Sequence, residues 1–269
     1  MPTSPAPTST AADGRRRRTR GATYFENRAV LDDLEVVVKR FPGSAGGRNY
    51  VLVHGIGVSS RYFQPLAALL ATIGTVWLID LPGYGSAPKP GREVSIGGHA
   101  AILGRFLDTN GIDNPVLVGH SMGCQVVTAL AATRPELSDE LVLLAPTINP
   151  DERRVWRQAL NLGRDMFVEP VRSNFVVFTD YIFRCGPAYY LRQLPHMMED
   201  RIEDRLPGIA TRSLVVVGRK DPVVPVEWAQ RVAHLLPRGT LAVVGGPHVI
   251  MFTDPREIFD LIVEHGEAS

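Results

Sequence analysis

The sequence predicts an α/β fold, a mostly parallel sheet with helices on both faces. Valine-rich runs ending at glycine alternate with segments of helical spacing over most of the 269 residues. That order is the signature of strand–helix–strand units. Hydrophobic residues make up 45% and charged residues 21%, ordinary values for a globular enzyme. The rhythm breaks once, at about residues 146–206, where a helical, aromatic-rich and arginine-rich stretch intervenes.

The elements follow in order. Residues 34–41 (LEVVVKRF) and 49–55 (NYVLVHG) read as strands. Residues 59–74 read as a helix starting on serine and stopping at Gly74, and 75–80 as the next strand. Ile96, Ala100, Leu103 and Leu107 share one face of a helix. PVLVGHS is a strand, MGCQVVTALAATRPE a helix, and ELVLLAP another strand. After the insertion, SLVVVGRKD and TLAVVGGPH read as strands, PVEWAQRVAHLLP and DPREIFDLIVEHG as helices. The Pro/Ser/Thr-rich and then basic residues 1–20 are expected to be a disordered tail.

Composition narrows the partners. Lys and Arg number 29 against 28 Asp and Glu, which favours neither nucleic acid nor an anionic membrane. Cys124 and Cys185 lie far apart with no metal-ligand spacing, so a reducing compartment, the cytoplasm, is expected. No apolar run approaches the roughly 18 residues that span a bilayer. The expectation is a small-molecule substrate, with no cofactor, no metal and no stable membrane insertion.

The chemistry concentrates in Gly119-His120-Ser121-Met122-Gly123, at the joint of a strand and a helix. Glycines flank Ser121 because a sharp strand-to-helix turn leaves no room for side chains, and the turn lifts the hydroxyl out of the sheet. The helix starting at Met122 aims its free N–H groups at whatever Ser121 touches. A serine needs a base, and the base an orienting carboxylate. Asp221 lies just past one strand end, 100 residues after Ser121, and His248 past the next, another 27 on. All three therefore reach one rim of the sheet.

With His54-Gly55 after one strand and Asp80-Leu81-Pro82-Gly83-Tyr84-Gly85-Ser86 after the next, these motifs resemble the α/β-hydrolase fold superfamily, in its serine-nucleophile, capped esterase or C–C hydrolase-like branch. The resemblance covers about residues 34–264. It implies a core of 21–145 and 207–269, with 146–206 as a helical cap. It also implies a second oxyanion donor, the backbone N–H of Ile56 beside that of Met122, and the glycines at 55 and 57 allow such close approach. His54 is expected to shape this loop, the DLPGYGS turn to be structural, and Cys124 to be a small buried side chain. His99, His196, His234 and His265 are expected on the surface or in packing.

The expected activity is a carboxylesterase-like serine hydrolase acting on a small to medium, mainly apolar substrate. Cap residues such as Trp156, Phe167, Phe175, Tyr189, Met197 and Met198 suggest an apolar wall or the lid's own packing; the cap arginines, Arg184 and Arg192 among them, are expected mostly on solvated faces, with one or two free to meet a carboxylate. The alternatives are a C–C bond hydrolase, a lyase or an acyl transferase with the same triad, or a receptor-like hydrolase that binds ligand and turns over slowly. The C–C hydrolases commonly carry Asn where this chain has His120, and Trp where it has Val249.

Overall fold

In the computed structural model, residues 14–19, 21–150 and 179–267 are described. The strands are β1 (Arg15–Thr19), β2 (Ala22–Leu31), β3 (Leu34–Phe41), β4 (Arg48–Val53), β5 (Gly74–Asp80), β6 (Val116–His120), β7 (Glu140–Leu144), β8 (Arg212–Gly218) and β9 (Gly239–Val244). They form one sheet in the order β1-β2-β3-β5-β4-β6-β7-β8-β9. The first three strands and the β3–β5 contact are antiparallel, and every pairing from β5 to β9 is parallel.

Two helical layers cover it. On one face α2 (Ile96–Asn110), α3 (Met122–Thr133) and α6 (Val226–Leu235) pack on Val51, Val53, Leu117, Leu143 and Val217. On the other, α1 (Gln64–Leu70), α7 (Ile250–Thr253) and α8 (Pro255–Glu267) pack on Leu52, Val118, Leu144 and Val216. Strand residues apolar on both faces are what a doubly covered parallel sheet requires. Ile96, Ala100, Leu103 and Leu107 are all buried, as their spacing predicts. The Ser95 side chain caps α2 and Gly111, in the left-handed region, ends it.

Two expectations are revised. Arg15–Thr19, placed in the tail by sequence, forms the edge strand β1, and β2 precedes the first expected strand. The arginines of β1 are exposed, so no burial pattern marked it; pairing with β2 and a Thr19–Gln64 side-chain bond of 3.0 Å hold it. Residues 1–13 and 20 lie outside the described residues. The helix expected over 59–74 is a 3-10 turn (Ser60–Phe63) and then α1, and Gly74 opens β5 rather than closing a helix. Arg184 is half-buried, pairing with the Asp180 carboxylate at 3.2 Å and donating to Ser86 Oγ at 2.9 Å, which separates it from the solvated faces expected of most cap arginines.

Within 146–206, residues 151–178, with Trp156, Phe167 and Phe175, lie outside the described residues. The rest holds a π-helical turn (Asp180–Cys185), α4 (Pro187–Glu199) and α5 (Ile202–Arg205). Tyr189, Met197 and Met198 are buried in the core, and the Tyr189 hydroxyl donates to the Pro82 carbonyl at 3.0 Å. Among the described residues no helix is long and apolar enough to cross a membrane.

A buried ion pair ties the loops at the strand tips. Lys39 Nζ lies 2.8 Å from Asp80 Oδ2 and 2.7 Å from Ser60 Oγ, and the Ser60 and Ser86 amides also donate to Asp80. Burial alone would raise the Asp80 carboxyl. The Lys39 ammonium and the hydrogen bonds from Lys39 and Ser60 outweigh it and hold the group far below the usual carboxylate range. Its folded-state value is depressed, so its stabilisation is full above about pH 4 and fades as acid protonates it. Lys39→Met would leave a buried carboxylate without a countercharge and is expected to cost about 3–5 kcal/mol. Urea unfolding at pH 7 checks this, with the gap to wild type narrowing towards pH 3; a cost below about 1 kcal/mol would contradict it.

Candidate functional site

The strand register brings the expected residues to one rim. Beyond the last paired residues the ladder continues: Ser121 N–H donates to Leu144 O (3.0 Å), Ala145 N–H to Val216 O (2.8 Å) and Arg219 N–H to Val244 O (2.8 Å). Ser121, Asp221 and His248 thus leave the sheet from the same ends of β6, β8 and β9.

Ser121 has φ 55 and ψ −120, a conformation L-residues rarely adopt, and stands between the end of β6 and Met122, the first residue of α3. Such strain typically costs about 1–3 kcal/mol and persists only where the surroundings enforce it. Here they do. A Cβ on Gly119 would lie 2.6 Å from the Gly123 carbonyl oxygen, and one on Gly123 would lie 2.2 Å from that of Val53. Helix and strand approach so closely that only glycine fits. As the first helical residue, Met122 carries an N–H with no intrahelical acceptor.

Asp221 is fixed from two sides. Its Oδ1 accepts the Val223 and Val224 amides at 2.7 and 2.9 Å, and its Oδ2 accepts from His248 Nδ1 at 2.8 Å. The carboxylate side chain is fully buried and the His248 side chain is 8% exposed. A carboxylate only accepts, so Nδ1 carries the proton and neutral His248 has its lone pair on Nε2.

The loop after β4 completes the rim. A Cβ on Gly55 would lie 3.0 Å from Ser121 Cβ, so loop and serine are in contact. His54 is wholly buried, donates Nδ1–H to the Gly55 carbonyl at 2.7 Å and accepts the Leu81 amide at Nε2 at 3.1 Å. Burial holds it below its ordinary value despite Asp80, so it stays neutral in this tautomer. It orients the Gly55–Ile56 peptide; because that bond is planar and trans, fixing its carbonyl fixes the Ile56 N–H. Its expected loop-shaping role is what these bonds perform.

The remaining candidates lie apart from the rim chemistry. Burial raises Cys124 well above its ordinary value, and its thiol donates to the Gly119 and Leu144 carbonyls, so it remains a protonated packing residue. His99 is buried beside Tyr84 and lowered to about 3 by burial. His265 is buried, His234 is exposed, and His196 meets Glu93 at the surface. Among the described residues no group of three or more His, Cys, Asp or Glu could hold a metal ion.

Three participants escaped the sequence reading. Asp180, fully buried, accepts from the Ser59 amide and hydroxyl and from Arg61 (2.8 Å), joining the segment before α4 to the loop after β4. Tyr62 and His120 form a second link. A carboxylate 121 residues away carries no local signal, whereas His120, beside Ser121, was visible but had no known partner.

A model of the alpha/beta hydrolase family matches residues 50–261. "Putative carbamate hydrolase RutD" of Pseudomonas savastanoi pv. phaseolicola is 30% identical over 229 residues, spanning 76% of this chain and 88% of its own. Two solved structures superpose with TM-score 0.77 at 18% identity: the enol-lactonase from Burkholderia xenovorans LB400 (89% of this chain, 99% of that one) and a hydrolase from Pseudomonas aeruginosa PA01 (89% and 97%). At that identity the two structures establish the fold alone.

Gly123→Ala is expected to lower stability by about 2 kcal/mol or more, because its methyl meets rigid strand backbone. Gly91→Ala, with nothing within 4 Å of its Cβ, serves as the neutral control. Thermal unfolding checks the pair, and equal midpoints would contradict the packing argument.

Proposed function

The chain belongs to the alpha/beta hydrolase family, and from that premise we propose that it is a serine hydrolase cleaving a carboxylic ester or related acyl bond of a small to medium, mainly apolar substrate. Ser121 Oγ attacks the carbonyl carbon while His248 Nε2 takes its proton. Asp221 holds the imidazole and stabilises the imidazolium. The Ile56 and Met122 N–H groups bind the oxyanion of the tetrahedral intermediate. On collapse His248 returns the proton to the leaving oxygen, and water then releases the acyl group by the same steps.

The observation that carries this reading is the Asp221–His248 pair. A carboxylate locked by two amides and bonded at 2.8 Å to Nδ1 leaves the imidazole in the tautomer a general base requires. A surface ion pair needs no such double fixing, and this one sits at the rim that holds the strained Ser121. We read residues 146–206 as a cap over this rim; the Asp180 and Tyr189 contacts support that reading. The relative named "Putative carbamate hydrolase RutD" supports a reading in which an acyl bond is cleaved.

Ser121→Ala is expected to abolish release of p-nitrophenol from p-nitrophenyl acetate and butyrate while leaving the thermal midpoint near wild type. Asp221→Asn is expected to lower kcat by roughly 10⁴-fold, the size typical when the orienting carboxylate is neutralised. A near-native rate in either variant would overturn the assignment. On a panel of esters, lactones, carbamates and vinylogous diketones, ester or lactone turnover is expected to dominate; turnover confined to the diketone would assign the site to carbon–carbon cleavage instead.

A further inference from the structure

The loops that carry Ile56 and His248 follow β4 and β9, which are not neighbours in the sheet; β6, β7 and β8 lie between them. His120, the last residue of β6, reaches both. Its buried ring lies 4.7 Å from the His248 ring and packs edge-on against Tyr62 and Phe63. His120 Nε2 is 3.2 Å from the main-chain oxygen of His248, and His120 Nδ1 is 2.9 Å from the Tyr62 hydroxyl. That hydroxyl in turn accepts the Gly55 N–H at 2.8 Å.

The protons in this chain can be placed. A carbonyl oxygen only accepts, so Nε2 carries a hydrogen and donates to His248. Burial, and then His248, push His120 well below its ordinary value, so the ring is neutral and Nδ1 must accept. Burial pushes Tyr62 far up, so it remains a phenol and donates to Nδ1. The direction is therefore uniform: Gly55 N–H to Tyr62, Tyr62 O–H to His120, His120 N–H to the His248 carbonyl. Each buried polar group in the line finds its partner in the next.

We propose that Tyr62 and His120 are positioning residues that lock the loop of the Ile56 oxyanion donor to the loop of the His248 base, setting the spacing between the two. Neither touches the reacting atoms. The inference rests on the serine hydrolase reading above and assigns it two further residues. Their removal would let the two loops relax independently, and displacement by about 1 Å can cost about a hundredfold in rate.

The test uses the full chain with p-nitrophenyl acetate as the probe, and the variants Tyr62→Phe, His120→Gln and the double substitution. Tyr62→Phe keeps the ring and removes only the hydroxyl, so it preserves packing. Each single variant is expected to lower kcat about 10- to 100-fold with KM held within about twofold. The double variant is expected to be no more than about threefold worse than the weaker single, because the two act as one link. The acid limb of the pH–rate profile should not move, since burial holds His120 below its ordinary value and it exchanges no proton with the substrate. Near-native kcat, losses that multiply in the double variant, or losses wholly explained by unfolding at the assay temperature would each overturn the proposal. Ser121→Ala, assayed in parallel, separates the failures. If it retains turnover, the serine hydrolase reading falls; if it is inactive while Tyr62→Phe is fully active, only this inference falls.

Discussion

The contact on which the site depends is backbone against backbone, where the start of α3 meets β4. With space for no more than a hydrogen at residue 123 beside the Val53 carbonyl, the chain must turn within a single residue after β6. That residue is Ser121, and its positive φ follows from the packing around it. The same approach brings the loop after β4 against the serine, so the Ile56 and Met122 amides come from the two elements pressed together. A sheet covered on both faces supplies the rigidity that makes such strain affordable.

Around this contact the polar groups sort by charge. Asp80 keeps its charge because Lys39 Nζ lies 2.8 Å from it. His54, His99 and His120 are buried and held below their ordinary values, and His54 and His120 serve as fixed neutral donors and acceptors rather than proton carriers. His248 differs from them in having a carboxylate on Nδ1. Hydrogen-bond environment thus separates His248 from His54 and His120, whose rings tie loops together.

Much of this was legible in the sequence because the parallel strands are apolar on both faces and their tips carry residues with one chemistry. Gly119–Gly123, Asp221 and His248 each follow a valine-rich run, and periodicity places them on one rim. The elements that escaped lack such signals. The arginines of β1 face solvent, so no alternation reveals a strand, and only pairing with β2 defines it. Gly74 resembles a helix stop but opens β5, since a short turn already ended the helix at Ala71. Tyr62, His120 and Asp180 act through partners 58 to 128 residues distant, and only folding creates those contacts.

The most direct measurement is the site of covalent capture. The protein is treated with a fluorophosphonate, digested and mapped by mass spectrometry. The account predicts a single stoichiometric adduct on the peptide containing Ser121, formed slowly or not at all when Asp221 is replaced by Asn. An adduct on another residue, or equal labelling in the Asn variant, would contradict it.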